Sequence, residues 1–163
     1  HERHANNNSL PRFAGWWGHD EKERFKMEKG FIPMTGADGW QVSNVNVLSS
    51  AAHLASLEIF KNAGISKLRQ KSVNLTSYLE FLINNLHSDL INIITPSHVT
   101  QRGCQLSIII KERGKEVFEA LTREGVIADW REPEVIRIAP VPLYNTYLEV
   151  FKFYAILKNT LGL

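Results

Sequence analysis

The fold class depends most on the segment QLSIIIK, Gln105–Lys111, an apolar run rich in isoleucine. Branched apolar residues in a short run favour a β-strand. The period then changes: Gly114–Glu124 places Val117 and Leu121 on one side of an amphipathic helix, and Gly125 closes that helix. A strand followed directly by a helix that can cover it predicts a layered domain.

The same alternation of strands and helices extends from this segment in both directions. Leu90 to Thr95 is a predicted strand that ends at Pro96, and two shorter strands are predicted at Val126–Ala128 and Val135–Ala139. Thr146 and Glu149 have the spacing of a capping box that begins a last helix. That helix is expected to bury Val150, Phe153, Leu157 and Leu161. The order predicts an α+β fold with an antiparallel or mixed sheet and helices on one of its faces.

Two helices are predicted before the sheet. The first begins near Val47 after Asn46 as N-cap and stops at Gly64. Its expected buried stripe consists of Leu48, Ala52, Ala55 and Ile59, and His53 in the same helix is expected to be partly buried. The second begins after Ser66 and serves as a connecting rod. Its expected apolar face consists of Leu68, Leu75, Leu79, Leu82 and Leu86.

Residues 1–46 show no helix or strand period and are predicted to be loop with short extended segments. Such a long aperiodic leader is unusual for a self-sufficient domain. We therefore expect this chain to be a piece of a longer polypeptide. The predicted divisions are residues 1–64, a linking helix at 65–89, and a small α+β domain at 90–163.

Composition excludes several classes of function. The chain has 163 residues, 44% of them hydrophobic, and a formal net charge of +2. Scattered basic residues and a small net charge argue against nucleic acid as a partner, and no apolar run reaches the length of a membrane span. The histidines lack the spacing of metal ligands. The single cysteine, Cys104, is predicted to be a buried core thiol and fits a reducing, cytoplasmic compartment.

The segment PRFAGWWGH, Pro11–His19, places two tryptophans between glycines in an aperiodic region. Glycine allows close backbone approach, and an indole offers a flat face with one N–H donor. This pattern suits an anionic or aromatic ligand, and it equally suits a loop pinned by two hydrophobic anchors. His19, beside the tryptophans, is the histidine that we would expect to contact a ligand.

Two further polar groups are candidates for holding an anion. Alternation in the strand Val135–Ala139 places Arg137 on the face opposite Ile136 and Ile138, where a guanidinium can bind a carboxylate through two hydrogen bonds. The alternative is an ordinary solvated arginine. Ser43-Asn44 precedes the first helix and either helps to hold a phosphate or simply caps the helix.

Several blocks of this chain together resemble the kynureninase family. They are PRFAGWWGH at 11–19, RFKM at 24–27, SN at 43–44, ASLEIF at 55–60, IITPSH at 93–98, RGCQL at 102–106 and RIAPVPLYN at 137–145. The blocks occur in the family's order and cover nearly the whole chain. The resemblance implies the C-terminal portion of a fold-type I pyridoxal-phosphate enzyme: the tail of the large domain, a connecting helix and the small domain.

The activity that the resemblance implies is hydrolysis of L-kynurenine or 3-hydroxykynurenine to anthranilate or its 3-hydroxy form plus L-alanine. This carbon–carbon bond cleavage belongs to tryptophan catabolism and the synthesis of NAD precursors. Pyridoxal 5′-phosphate is the implied cofactor. The implied assembly is a cytoplasmic homodimer whose active sites are shared between subunits.

The family's site residues carry over one at a time. Trp16 matches the tryptophan whose indole N–H contacts the cofactor phosphate, and Asn44 matches an asparagine near cofactor and substrate. Arg137 matches the arginine that binds the substrate α-carboxylate, and His19 is a second-tier substrate candidate. The Schiff-base lysine is expected N-terminal to His1, so this fragment alone is expected to contain no catalytic residue and to be inactive. The alternatives are another fold-type I enzyme such as a cysteine desulfurase, or a non-catalytic α+β binding or dimerisation module.

Overall fold

A computed structural model describes residues 1–163 and divides them into two compact units, His1–Leu57 and Glu58–Leu163. The three-part division at 1–64, 65–89 and 90–163 stays a prediction. None of the helices combines the length and the apolar character that crossing a membrane requires.

The first unit begins with irregular structure, as its aperiodic sequence predicts. Its regular pieces before residue 47 are two 3-10 turns, Glu2–His4 and Asp38–Trp40, and an isolated bridge between His19 and Pro33. Backbone hydrogen bonds flank this bridge, for example from Met34 N–H to the Gly18 carbonyl at 2.9 Å. Specific backbone hydrogen bonds therefore hold this loop in place, although its sequence has no helix or strand period.

Helix α1 spans Val47–Ala63 and begins and ends where its signals predict. The Asn46 side chain accepts a hydrogen bond from Ser49 N–H at 3.1 Å, and Gly64 has a φ of 81°, which L-residues rarely adopt. The expected burial is wrong, however. Leu48, Ala52, Ala55 and Ile59 are all exposed, as is His53. The period correctly indicates a helix, but a stripe is buried only where another element covers it, and α1 contributes nothing to the hydrophobic core.

Helix α2 spans Ile65–Asn84 and supplies one side of the core. The predicted apolar face is confirmed for Leu68, Leu75, Leu79 and Leu82, all of which are buried. Leu86 lies beyond the helix end and packs, half-buried, against the same core. The 3.6-residue period therefore located both the helix and its buried side.

The sheet has four antiparallel strands in the order β1-β2-β4-β3. Their bounds are Ile91–Ile93 for β1, Leu106–Ile110 for β2, Asp129–Arg131 for β3 and Val135–Ile138 for β4. Three of the four predicted strands are confirmed within two residues at each end.

The strand predicted at Val126–Ala128 is wrong, because the chain there completes a helix end. Helix α3 spans Gly114–Arg123, and Gly125 follows it with a φ of 82°. The N–H of Val126 reaches back to the Leu121 carbonyl at 3.0 Å. This C-terminal capping uses the backbone that a strand would need, so β3 begins only at Asp129.

One face of the sheet carries the helices and the other is open. Alternate residues Leu106, Ile108 and Ile110 of β2 are buried, together with Ile136 and Ile138 of β4. They pack with apolar residues of α2, of α3 and of α4, which spans Tyr147–Leu161. The intervening strand residues face away from the helices and are half-buried. This arrangement confirms the predicted α+β fold with helices on one sheet face.

The predicted capping box at the start of α4 is present. The Thr146 hydroxyl accepts a hydrogen bond from Glu149 N–H at 3.3 Å, and the Glu149 carboxylate accepts one from Thr146 N–H at 2.7 Å. The backbone N–H and then the hydroxyl of Thr146 lower the pKa of the Glu149 carboxyl, since both stabilise its charged form. A lowered pKa in the folded state means that this contribution to stability is present at neutral pH. It is lost as the pH falls through that lowered pKa.

We expect Thr146→Val to raise the Glu149 pKa only part of the way to its ordinary value. The hydroxyl contact is lost, while the backbone contact remains. A carboxyl titration followed by NMR measures this, with Thr160→Val as control because the Thr160 hydroxyl binds the Ile156 carbonyl instead. An unchanged Glu149 pKa in Thr146→Val would contradict the role given to the hydroxyl.

We expect Leu157→Ala to lower the free energy of unfolding of the second unit by about 2–5 kcal/mol, the usual cost of emptying a core leucine site. Leu157 is fully buried, whereas Leu148 on the same helix is 61% exposed and provides the matched control Leu148→Ala. Urea denaturation measures the free energy of unfolding of both variants. Equal losses would show that α4 does not bury the face described here.

Candidate functional site

The first unit contains a shallow cavity of about 260 Å³ that brings two predicted residues together, Trp16 and His19. The Trp16 ring is 44% exposed and meets Phe25 edge to face, with 5.4 Å between ring centroids. The His19 ring packs similarly on Phe31 at 5.5 Å. The Trp16 indole N–H makes no hydrogen bond within the chain, so it is free to donate to an anion.

Asn44 lies with the other tryptophan and does not line this cavity. The Trp17 indole N–H donates a hydrogen bond to the Asn44 side-chain oxygen. Both side chains are exposed, and the Asn44 amide N–H groups remain without a partner in the chain. The two tryptophans therefore differ: Trp17 orients Asn44, and Trp16 keeps a free donor.

The glycines of this segment allow backbone to pack against backbone. A Cβ on Gly15 would lie 2.3 Å from Val42 Cα, and one on Gly39 would lie 2.0 Å from the Met34 carbonyl oxygen. Neither distance leaves room for a side chain. The loop is therefore held by backbone packing at its glycines, whereas Trp16 and Trp17 are 44% and 41% exposed and are not buried hydrophobic anchors. The ligand interpretation depends on the exposed Trp16 face.

Two arginines that the sequence pattern does not indicate lie against tryptophan rings. Arg24 is only 6% exposed, lies 5.2 Å from the centroid of the Trp17 ring, and donates to the His19 carbonyl at 2.9 Å. Arg12 stacks over Trp40 at 4.2 Å. Arg24 also lines the cavity and brings a fixed positive charge to it. Arg12 and Trp40 are far apart in the sequence, so no local spacing indicates this stacking.

In the second unit, Arg137 lies on β4 and on the open face of the sheet, as alternation predicts. Its Nε donates to the Asp129 carboxylate at 2.6 Å, and its Nη2 contacts the same oxygen, Asp129 Oδ2. The Arg137 side chain is 35% exposed. It is therefore neither a fully solvated arginine nor a buried one, but an arginine oriented by a carboxylate at an accessible surface.

Cys104 is half-buried and lies outside the core cluster, so the predicted buried core thiol is wrong. It comes before β2 begins at Leu106, in a stretch where the chain has not yet entered the sheet. A residue there is not constrained to the covered face by strand alternation.

Comparison with solved structures defines the class of this fold. Apo cysteine desulfurase from Thermococcus onnurineus NA1 matches with a TM-score of 0.75 and 12% identity, over 99% of this chain and 42% of that one. A complex of the cystine C-S lyase C-DES with its product matches with a TM-score of 0.64 and 17% identity, over 90% and 38%. The fold is that of the C-terminal portion of fold-type I pyridoxal-phosphate enzymes, and the low identities show the fold alone.

Sequence comparison gives the particular family. The Kynureninase C-terminal domain profile matches residues 68–157. Kynureninase from Koribacter versatilis is 53% identical over 94% of this chain and 36% of the relative. Kynureninase from Flavobacterium psychrophilum is 48% identical over 98% and 38%, and that from Stenotrophomonas maltophilia is 50% identical over 100% and 39%. The chain belongs to the kynureninase family.

The chain spans 36–39% of the length of these relatives. The cysteine desulfurase alternative fits less well, since its representative shares the fold at 12% identity while the kynureninases share about half of all residues.

Proposed function

We propose that the complete protein hydrolyses L-kynurenine or 3-hydroxykynurenine, giving anthranilate or 3-hydroxyanthranilate and L-alanine. The observation that carries this proposal is identity of 48–53% to kynureninases over nearly the whole chain. We further propose that residues 1–64 are the tail of the large domain, that 65–89 form the linking helix, and that 90–163 form the small domain.

The residues of the first unit fit a pyridoxal-phosphate site. Trp16 has an exposed ring and an unpartnered N–H, and a donor without acceptor capacity suits a phosphate oxygen. Arg24 adds a positive charge at the same cavity, which Glu23 and Glu28 also line, and Glu23 is paired with Lys26 at 2.7 Å. When bound, the cofactor supplies an electron sink for chemistry at the substrate carbon atoms. Trp16 is the residue to which we assign the phosphate contact.

The substrate would be held through its polar ends. We assign the α-carboxylate to Arg137, whose planar guanidinium can form two parallel hydrogen bonds to it. We assign to Asn44 a contact near the cofactor and the aromatic amine, since its amide N–H groups are free. His19, at the cavity with Trp16, is the second substrate candidate. Holding both ends fixes the reacting carbons relative to the cofactor, which lowers the entropic cost of reaction.

The assembly and location follow from the family and stay predictions. We propose a homodimer with shared active sites, placed in the cytoplasm, with a role in tryptophan breakdown and NAD precursor synthesis. Size-exclusion chromatography with light scattering measures whether the complete protein is a dimer.

Product analysis tests the proposed reaction. The complete protein, with pyridoxal 5′-phosphate added, is given L-kynurenine and 3-hydroxykynurenine separately, and the aromatic product and L-alanine are quantified by chromatography. We expect equal amounts of the two products from at least one substrate. Release of L-alanine and sulfide from L-cysteine in the presence of an added thiol reductant, which is oxidised to its disulfide, with kynurenine untouched, would instead assign the desulfurase reaction.

A further inference from the structure

The guanidinium of Arg137 is held along one edge only. Asp129 Oδ2 accepts hydrogen bonds from Nε and Nη2, the pair of donors that form the side of the guanidinium. The remaining nitrogen, Nη1, makes no hydrogen bond within the chain. Arginine carries five N–H donors in a rigid plane, so fixing one edge also fixes the direction of the other. The outer edge of the guanidinium, formed by Nη1 and the second N–H of Nη2, is therefore held in a fixed direction and is free to bind a ligand.

Strand pairing explains why Asp129 occupies this position. Asp129 and Arg137 are directly opposed in the antiparallel pair of β3 and β4, and Ser107 of β2 opposes Arg137 on its other side. Cross-strand partners point to the same side of a sheet. All three side chains thus lie on the open face in one row, and the register of the sheet sets the Asp129–Arg137 contact.

The charged side chains around Arg137 favour the binding of an anion. Arg131, two residues along β3 from Asp129, donates through its Nε to the same Oδ2 at 3.0 Å. Two guanidinium groups and one carboxylate give this cluster a net charge of +1. The Arg131, Asp129 and Arg137 side chains are 59%, 43% and 35% exposed, so solvent and ligands reach them. Asp129 orients Arg137 without cancelling the positive charge.

We propose that Asp129 is a positioning residue for substrate binding: it holds the side edge of Arg137 so that the outer edge meets the substrate α-carboxylate. This inference rests on the proposed function for the role of Arg137. Asp129 itself does not touch the substrate. It acts by restricting the guanidinium to one orientation before the ligand arrives, which reduces the entropy lost on binding.

The test uses the complete enzyme and the variants Asp129→Ala, Asp129→Asn and the control Asp89→Ala. Asp89 is exposed and forms no ion pair. We expect Asp129→Ala to raise KM for L-kynurenine about tenfold and to change kcat less than about twofold, since a ground-state positioning contact is lost. Asp129→Asn keeps an acceptor oxygen in place and should recover much of the wild-type KM. The control should match the wild type.

A second measurement separates this inference from the proposed reaction. Calorimetry compares the binding of L-alanine with that of L-alaninamide, which lacks the carboxylate, and needs no turnover. We expect the wild type to bind L-alanine more tightly than L-alaninamide. In Asp129→Ala, the ratio of the two dissociation constants should fall about tenfold. A wild-type enzyme that prefers L-alanine but leaves kynurenine intact contradicts the proposed reaction and leaves the role of Asp129 to be decided by the variants.

Three results would overturn the proposal for Asp129. A lower KM and tighter L-alanine binding in Asp129→Ala would mean that Asp129 competes with the substrate for Arg137. An unchanged preference for L-alanine in both variants would mean that Arg137 needs no orientation by Asp129. No preference in wild type would remove Arg137 itself from a carboxylate site. If Asp129→Ala fails to fold, Asp129→Val, which also lacks an acceptor oxygen and suits a strand, decides among these outcomes.

Discussion

Arg137→Lys in the complete enzyme should raise KM for L-kynurenine by about 10–100-fold while leaving the fold intact. Lysine keeps the positive charge but cannot form the two parallel hydrogen bonds of a guanidinium to a carboxylate. A hydrogen bond to a charged group contributes about 1.5–3 kcal/mol, which corresponds to this change in affinity. Steady-state kinetics measure the effect. Melting temperature measures the fold, since Arg137 lies on the open sheet face and outside the hydrophobic core.

The matched control for this variant is Arg123→Lys. Arg123 ends helix α3 and is exposed, so the same substitution removes a guanidinium that contacts no proposed site. We expect its KM to equal that of the wild type. If Arg137→Lys also keeps the wild-type KM, Arg137 does not bind the substrate carboxylate.

Trp16→Phe should weaken the binding of pyridoxal 5′-phosphate by about 10–100-fold, because it removes an N–H donor to a charged phosphate and keeps an aromatic ring. The structure gives this N–H no partner within the chain, so little else depends on it. The dissociation constant of the complete protein for the cofactor, measured by equilibrium dialysis, reports the effect.

Trp40→Phe is the control for the aromatic substitution. Trp40 is 44% exposed, as Trp16 is, but its ring stacks under Arg12 and lies outside the cavity. Its cofactor affinity should stay at the wild-type value. Equal losses in the two variants would mean that the first unit was perturbed generally and that Trp16 makes no specific phosphate contact.

Much of the second unit, Glu58–Leu163, could be predicted because local signals and tertiary structure agree there. Alternation along Val135–Ile138 placed Arg137 on the open face, and Thr146 with Glu149 marked the start of α4. Both signals act over a few neighbouring residues, where the sequence alone determines the geometry. The buried residues of α2 and α4 followed from helical period for the same reason.

Other features depend on contacts that no local pattern contains. The stripe on α1 is helical but exposed, since burial requires a covering element and α1 adds nothing to the core. The contact between Asp129 and Arg137 follows from the register of β3 on β4, whereas the sequence pattern predicts the strand at Val126–Ala128 and so does not indicate this contact. The sequence DWREP at 129–133 held a usable signal: an inward Trp130 between two charged residues, followed by a proline turn.

The sequence also indicates which residues belong to the candidate site, but not which of them contact one another. Residue patterns indicate the tryptophan segment, Asn44, His19 and Arg137 separately, and the resemblance to kynureninases joins Trp16, Asn44 and Arg137 in one predicted site. The geometry adds what the resemblance lacks: Trp17, and not Trp16, contacts Asn44, and Trp16 shares its cavity with His19. Side-chain pairing across a loop is set by how the chain folds back, and spacing along the sequence does not determine it.

We propose above all that this chain supplies binding groups of a pyridoxal-phosphate enzyme that hydrolyses kynurenine. A crystal structure of the complete protein with the cofactor and a substrate-like amino acid tests it most directly. We predict the Arg137 guanidinium at about 3 Å from the ligand carboxylate and the Trp16 indole N–H at a similar distance from the cofactor phosphate. Both side chains directed away from the cofactor and the ligand would contradict the claim.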